Sequence, residues 1–125
     1  MALTLWIAAG GAFGATLRHF MNVLIGRIAG DGFPWHTMLI NISGSFVMGL
    51  LISLMALRWN VSNEIRAFLT TGILGGYTTF SAFSLDFALL VERKSYLLAG
   101  AYALSSVVLS LVAIFAGMAF AKVFA

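Results

Sequence analysis

From Ser95 to Ala121 the chain runs without one charged side chain, and three further apolar stretches precede it. The first extends from about Leu3 to Ile25, interrupted late by Arg18 and His19. Uncharged runs follow from Thr37 to Leu57 and from Ala67 to Leu85. Each approaches or exceeds the roughly 20 residues that cross a bilayer's hydrocarbon as a helix. The reading is an all-α integral membrane protein forming one domain over residues 1–125. Its four transmembrane helices are expected at about 3–27, 36–57, 63–91 and 95–122, the third broken near Gly75–Thr79.

Loops separate the runs: Gly30-Asp31-Gly32-Phe33-Pro34, then Arg58-Trp59-Asn60-Val61-Ser62-Asn63-Glu64, then Glu92-Arg93-Lys94. Pro34, the only proline, fits the entry to the second helix. Trp6, Trp35 and Trp59 fall near expected helix ends, as interfacial tryptophans do. Met1–Thr4 has no basic residue, unlike a secretory signal, so the first helix is read as retained. Only seven basic and four acidic residues are present, too sparse for a nucleic-acid surface. With no cysteine, a disulfide framework and thiol chemistry are excluded.

Charge fails to fix orientation. With four spans, Arg27, Arg93 and Lys94 lie on one side, and Arg58, Arg66 and Lys122 on the other. The positive-inside rule works by asymmetry. Its near absence leaves two arrangements open, a weakly biased single orientation or both orientations paired antiparallel. A bundle of four short-looped helices has no space for a solute path through its middle. Transport would use a subunit interface, in a dimer or larger assembly.

The stretch TTGILGGYTTFSAFS, Thr70–Ser84, is poorly suited to an unbroken lipid-facing helix. Its glycines weaken a helix and its hydroxyls compete for backbone bonds. Broken backbone at membrane depth occurs only where protein buries it or water reaches it. Unwound carbonyls around Gly75–Thr78 would point partial negative charge at one place, and Thr78, Thr79 and Ser81 can cap the resumed helix. Phe80, Phe83 and Phe87 share a face. Such a stripe ordinarily packs, but the electropositive edges of Phe80 and Phe83 can also hold a small anion. Asp86 must meet water, a hydroxyl or a basic group.

Elsewhere, Gly10 and Gly14 form a GxxxG contact pattern. Arg18, one turn on, must snorkel, pair or face water, where it would attract anions. Thr37, Asn41 and Ser45 stand four apart on the second span, and Asn41 can serve as glue to a neighbouring helix or line a path. Gly44 and Gly49 suggest a tightly packed opposite face. Tyr102, Ser106 and Ser110 repeat the spacing on the fourth span, a stripe of donors for something that accepts hydrogen bonds. These tracks favour a small, hard anion over a travelling cation. His19 and His36 converge with no nucleophile or metal-ligand set, so enzymatic chemistry is not expected.

GAFGATLRHF, NISGSFVMG and GGYTTFSAFS resemble the corresponding motifs of the Fluc family of fluoride channels, and the resemblance covers nearly the whole chain. It implies an antiparallel, dual-topology homodimer that exports toxic fluoride passively across the bacterial inner membrane, through two pores formed between the subunits. It also implies a central structural sodium ion held by backbone carbonyls of Gly75 and Thr78 from both subunits. The resemblance makes Phe80 and Phe83 the paired pore rings, Asn41 the pore asparagine and Arg18 the vestibule arginine. Ser81 joins the fluoride-lining set, and Tyr102, Ser106 and Ser110 form the hydroxyl track, with Thr37 near the carboxylate at one pore end. Ala82 stands where Thr or Ser is usual in the family, and Asp86 where Glu is usual. The rival reading is a small multidrug exporter, proton-coupled and carrying cationic compounds. That family resembles this chain in size and dual topology but carries a membrane-embedded Glu in its first helix, where this chain has none. A purely structural bundle is the third reading.

Overall fold

The computed structural model describes residues 1–30 and 32–124; Asp31, part of the first loop signal, lies outside them. All regular structure among the described residues is helical. Helix α1 spans Ala2–Ala29 and stops at Gly30, whose φ of 78° suits a residue without Cβ. Its backbone N–H still bonds the Gly26 carbonyl. Pro34 has no N–H to leave unpaired, and α2 starts directly after it, spanning Trp35–Leu57. Ser62 caps α3, Asn63–Ala67, by accepting a hydrogen bond from Ile65 N–H at 3.2 Å.

The segment that follows does not continue as regular α-helix. Residues Phe68–Leu74 wind as a π-helix, with wider turns, before a short α-helical turn, α4, at Gly75–Tyr77. The chain then extends through Thr78 (φ −80°, ψ 157°) and Thr79 (φ −152°, ψ 124°). Helix α5 resumes at Phe80 and runs to Glu92; α6 covers Tyr96–Phe124. Lys94, at φ 61°, turns the chain between them.

Close helix contacts account for most of the glycines. A Cβ on Gly10 would meet the Phe68 carbonyl oxygen and the Gly72 Cα, and one on Gly14 would overlap the Ile73 carbonyl. Gly76 faces the Gly11 carbonyl. Thus Gly72 and Gly76 let the π segment and α4 lie against α1. The unwinding itself falls at Thr78–Thr79: Gly75 is helical, at φ −63° and ψ −37°. Helices α2 and α6 make a second close crossing. Gly49 faces the Ile114 carbonyl, and Gly117 reciprocally faces that of Phe46. Gly44, on the other hand, faces Thr78 and Tyr77.

Among the described residues, three helical stretches are long and apolar enough to cross a membrane: Trp35–Leu57, Asn63–Glu92 and Tyr96–Phe124. With their apolar surfaces turned outward, they define a multi-pass membrane protein. Helix α1 has the length, at 28 residues, but Arg18 and His19 interrupt its apolar run. Two small clusters form the interior. Met38, Leu90, Ala99 and Tyr102 make one, and Ile25, Ile40 and Tyr77 the other. Helix α5 buries only Leu90 fully, with Phe83 and Val91 packed partly against the first cluster, so most of its surface faces outward.

Candidate functional site

The break is held by one side chain of α2. Asn41 donates an Nδ2 hydrogen bond to the Thr79 carbonyl at 3.0 Å and accepts one from the Thr79 N–H at 2.8 Å. In a continuous helix that N–H would have bonded the Gly75 carbonyl. The amide of Asn41 therefore stands in for the helical partners the break removes. One of its two N–H donors has no partner among the described residues.

Thr79 supplies the next fixing point. Its Oγ1 accepts from the Ala82 N–H at 3.1 Å, capping α5. Ala82 takes part through its backbone, so the cap needs no hydroxyl at that position. Ser81 lies exposed beside it, its Oγ 3.3 Å from Thr79 Oγ1. On the N-terminal side, Thr78 Oγ1 donates to the Leu74 carbonyl at 3.0 Å, and the Tyr77 hydroxyl lies 3.0 Å from Ser43 Oγ. Ser43 gave no signal in the sequence, because it sits on α2 off the face that carries Asn41.

A cavity of about 320 Å³ opens beside the break. Asn41, Ser45, Thr78, Thr79, Phe80 and Phe83 line it, together with Ser106 and Ser110 of α6. Met48, Val107 and Ile114 complete its apolar wall. These three carry no sequence signal, being ordinary apolar residues on apolar helices. The Phe80 and Phe83 rings are 5.5 Å apart and tilted by 47°. Phe80 is 76% exposed, so the cavity's outer edge is open in the single chain. Ser106 is 5% exposed, and its Oγ has no hydrogen-bond partner among the described residues.

Other candidate residues lie apart. Tyr102 is fully buried, its ring 5.1 Å from that of Phe83 and tilted by 40°, edge-on to Phe33, and is absent from the cavity wall. Its hydroxyl donates to Asp86 Oδ2 at 3.1 Å. The shorter Asp side chain therefore reaches a partner. Thr37 is buried beside the same hydroxyl. Arg18 is half-buried on α1, outside the cavity lining, and forms no ion pair among the described residues. Gly75 is exposed, and Thr78 half-buried.

Fold and site together describe a multi-pass membrane protein with a partly polar cavity, formed beside a broken helix and open to its surroundings. The family follows from comparison. Residues 5–118 match the model of the family described as CrcB-like protein, Camphor Resistance (CrcB), and the chain belongs to that family. It is 54% identical over 115 residues to the fluoride-specific ion channel FluC of Rhodopseudomonas palustris (strain BisB5), covering 92% of this chain and 93% of that one. It is 50% identical over 116 residues to the protein of that name from Agrobacterium fabrum (strain C58), with 93% of each covered. For the one from Mesorhizobium japonicum the identity is 52% over 118 residues, or 94% of each. These relatives are named for ion conduction, not catalysis.

Proposed function

We propose that this chain is the subunit of a fluoride-selective channel that lets toxic fluoride leave passively across the bacterial inner membrane. The observation that carries this reading is Ser106. A buried hydroxyl without a partner costs about 1–3 kcal/mol, and here it borders a cavity that also holds the spare N–H of Asn41 and the hydroxyl of Ser110. Donors left unspent in an apolar wall suit a small anion that gives up its water for hydrogen bonds. The ring edges of Phe80 and Phe83 add a positive electrostatic face without a fixed charge that would trap it.

In this reading α1 is the fourth span, with Arg18 at an aqueous vestibule. Two copies pair antiparallel, each closing the open side of the other's cavity. Support comes from the exposure of Phe80 and of most of α5, together with the even distribution of basic residues. Tyr102 and Thr37 belong to the pore's end at Asp86, and Ser81 to the surface that a second copy would meet.

The structural sodium implied by the family likeness fits the donors at the break. Gly75 is exposed, and the N–H that would close a helical bond to its carbonyl is diverted to Asn41. Carbonyl oxygens without their helical N–H partner, beside a break, are ligands such a cation takes. Gly75 and Thr78 of both copies would hold it, and its charge would offset the repulsion of facing carbonyl dipoles. The exporter alternative lacks support, since α1 carries no carboxylate.

Efflux from liposomes loaded with fluoride, with chloride as the control, tests the reading. Fluoride should leave rapidly and chloride should be retained. Equal rates for the two ions would overturn selectivity.

A further inference from the structure

A second cavity of about 190 Å³ lies beyond the Tyr102–Asp86 bond, at the end of the bundle where α2 begins and α5 ends. Asp86, Leu89, Leu90 and Arg93 line it from α5 and its C-terminus, at spacings that put them on one helical face. Pro34 and His36 close it from the start of α2. Three charged or titratable side chains thus share one small space. Yet Arg93 and Asp86, two turns apart on one helical face, form no ion pair, and Arg93 and His36 make no side-chain hydrogen bond, among the described residues. Asp86 instead takes the hydroxyl of Tyr102.

Among the described residues the guanidinium therefore has no side-chain partner, and the carboxylate beside it accepts from Tyr102. The opposite charge of Asp86 keeps the site near neutral, so an anion entering it would be held weakly and released readily, as transit requires. Buried Leu90 and the more exposed Leu89 give it an apolar side.

We propose that this second cavity is an anion-collecting site, in which Arg93 and His36 gather small inorganic anions at the membrane edge next to the Asp86–Tyr102 end of the bundle. This rests on the channel reading for its consequence, namely supply of fluoride to the transmembrane path, but the binding stands separately. Arg93 is exposed and His36 half-buried, so replacing them with glutamine disturbs no described hydrogen bond or ion pair.

Two measurements test it. In liposomes, Arg93→Gln/His36→Gln should lower efflux about tenfold at low fluoride, where collection limits entry, and leave it nearly unchanged at high fluoride. Arg93→Lys should restore most of the loss. In detergent, the Trp6→Phe/Trp59→Phe protein keeps Trp35, next to His36, as its one tryptophan. Its fluorescence should respond to sodium fluoride, and the response should vanish in the Arg93→Gln/His36→Gln background. Unchanged efflux at low fluoride in the double variant would overturn the proposal, as would a Trp35 signal indifferent to fluoride or to the two substitutions. If the parent protein passes no fluoride at all, the channel reading fails, and the Trp35 titration alone decides the site.

Discussion

Asn41→Ala separates two roles that this residue combines, holding the break and presenting a donor. The substitution removes both bonds to Thr79, at 2.8 and 3.0 Å. A hydrogen bond contributes about 1 kcal/mol net, so two in a half-buried setting amount to about 2 kcal/mol of local stability. At 1.4 kcal/mol per factor of ten, the Thr79 amide should exchange with solvent about 30-fold faster. Hydrogen–deuterium exchange resolved to peptides covering Thr78–Phe83 reads that directly. Asn41→Asp is the informative companion. Its carboxylate can still accept from the Thr79 N–H but cannot donate to the Thr79 carbonyl or to an anion. Exchange should therefore be partly protected while fluoride efflux is lost. If Asn41→Ala left exchange across Thr78–Phe83 unchanged, the amide would not be holding the break, and the structural half of its role would be refuted.

Three further substitutions follow from the packing and the cavity. Gly49→Ala would drive a methyl into the Ile114 backbone and should lower stability in detergent by about 1–3 kcal/mol, whereas Gly100→Ala, with open space around it, should be neutral or slightly stabilising; thermal unfolding compares them. Ser106→Ala should leave stability unchanged or raise it by up to about 1–2 kcal/mol, by removing an unpartnered buried hydroxyl, while slowing fluoride efflux. A loss of stability with normal efflux would make Ser106 a structural residue.

The helical stretches were legible because uninterrupted apolar runs leave the backbone only one way to satisfy itself in lipid. Pro34 marked an entry point for the same reason, having no donor to lose. The wide winding of Phe68–Leu74 was not legible, since it depends on how that segment meets α1 rather than on its own composition. Gly72, Gly75 and Gly76 read in sequence as weak points of a helix; in the structure Gly72 and Gly76 serve close approach to α1, and the chain unwinds at two threonines. Side-chain spacing likewise aligns Tyr102 with Ser106 and Ser110, but spacing says nothing of where a long side chain turns. The Tyr102 ring packs among Phe33 and Phe83 and carries its hydroxyl away to Asp86. Asn41 stood out as the strongest polar residue of its helix, while its pairing with the backbone of Thr79, 38 positions away, required the fold.

The seven residues of the π segment also act as a phase setter. Each α-helical residue advances the chain by about 100° around its axis, and a wider turn spends one extra residue without that advance. Adding one more residue between Phe68 and Thr71 would leave composition and hydropathy almost untouched, yet turn the chain after it by about 100°. It would put Gly72 and Gly76 out of step with Gly10 and Gly11. Everything downstream, including the aim of Phe80 and Phe83, inherits its angle from that count, so the segment tolerates exchange of its letters far better than a change in their number.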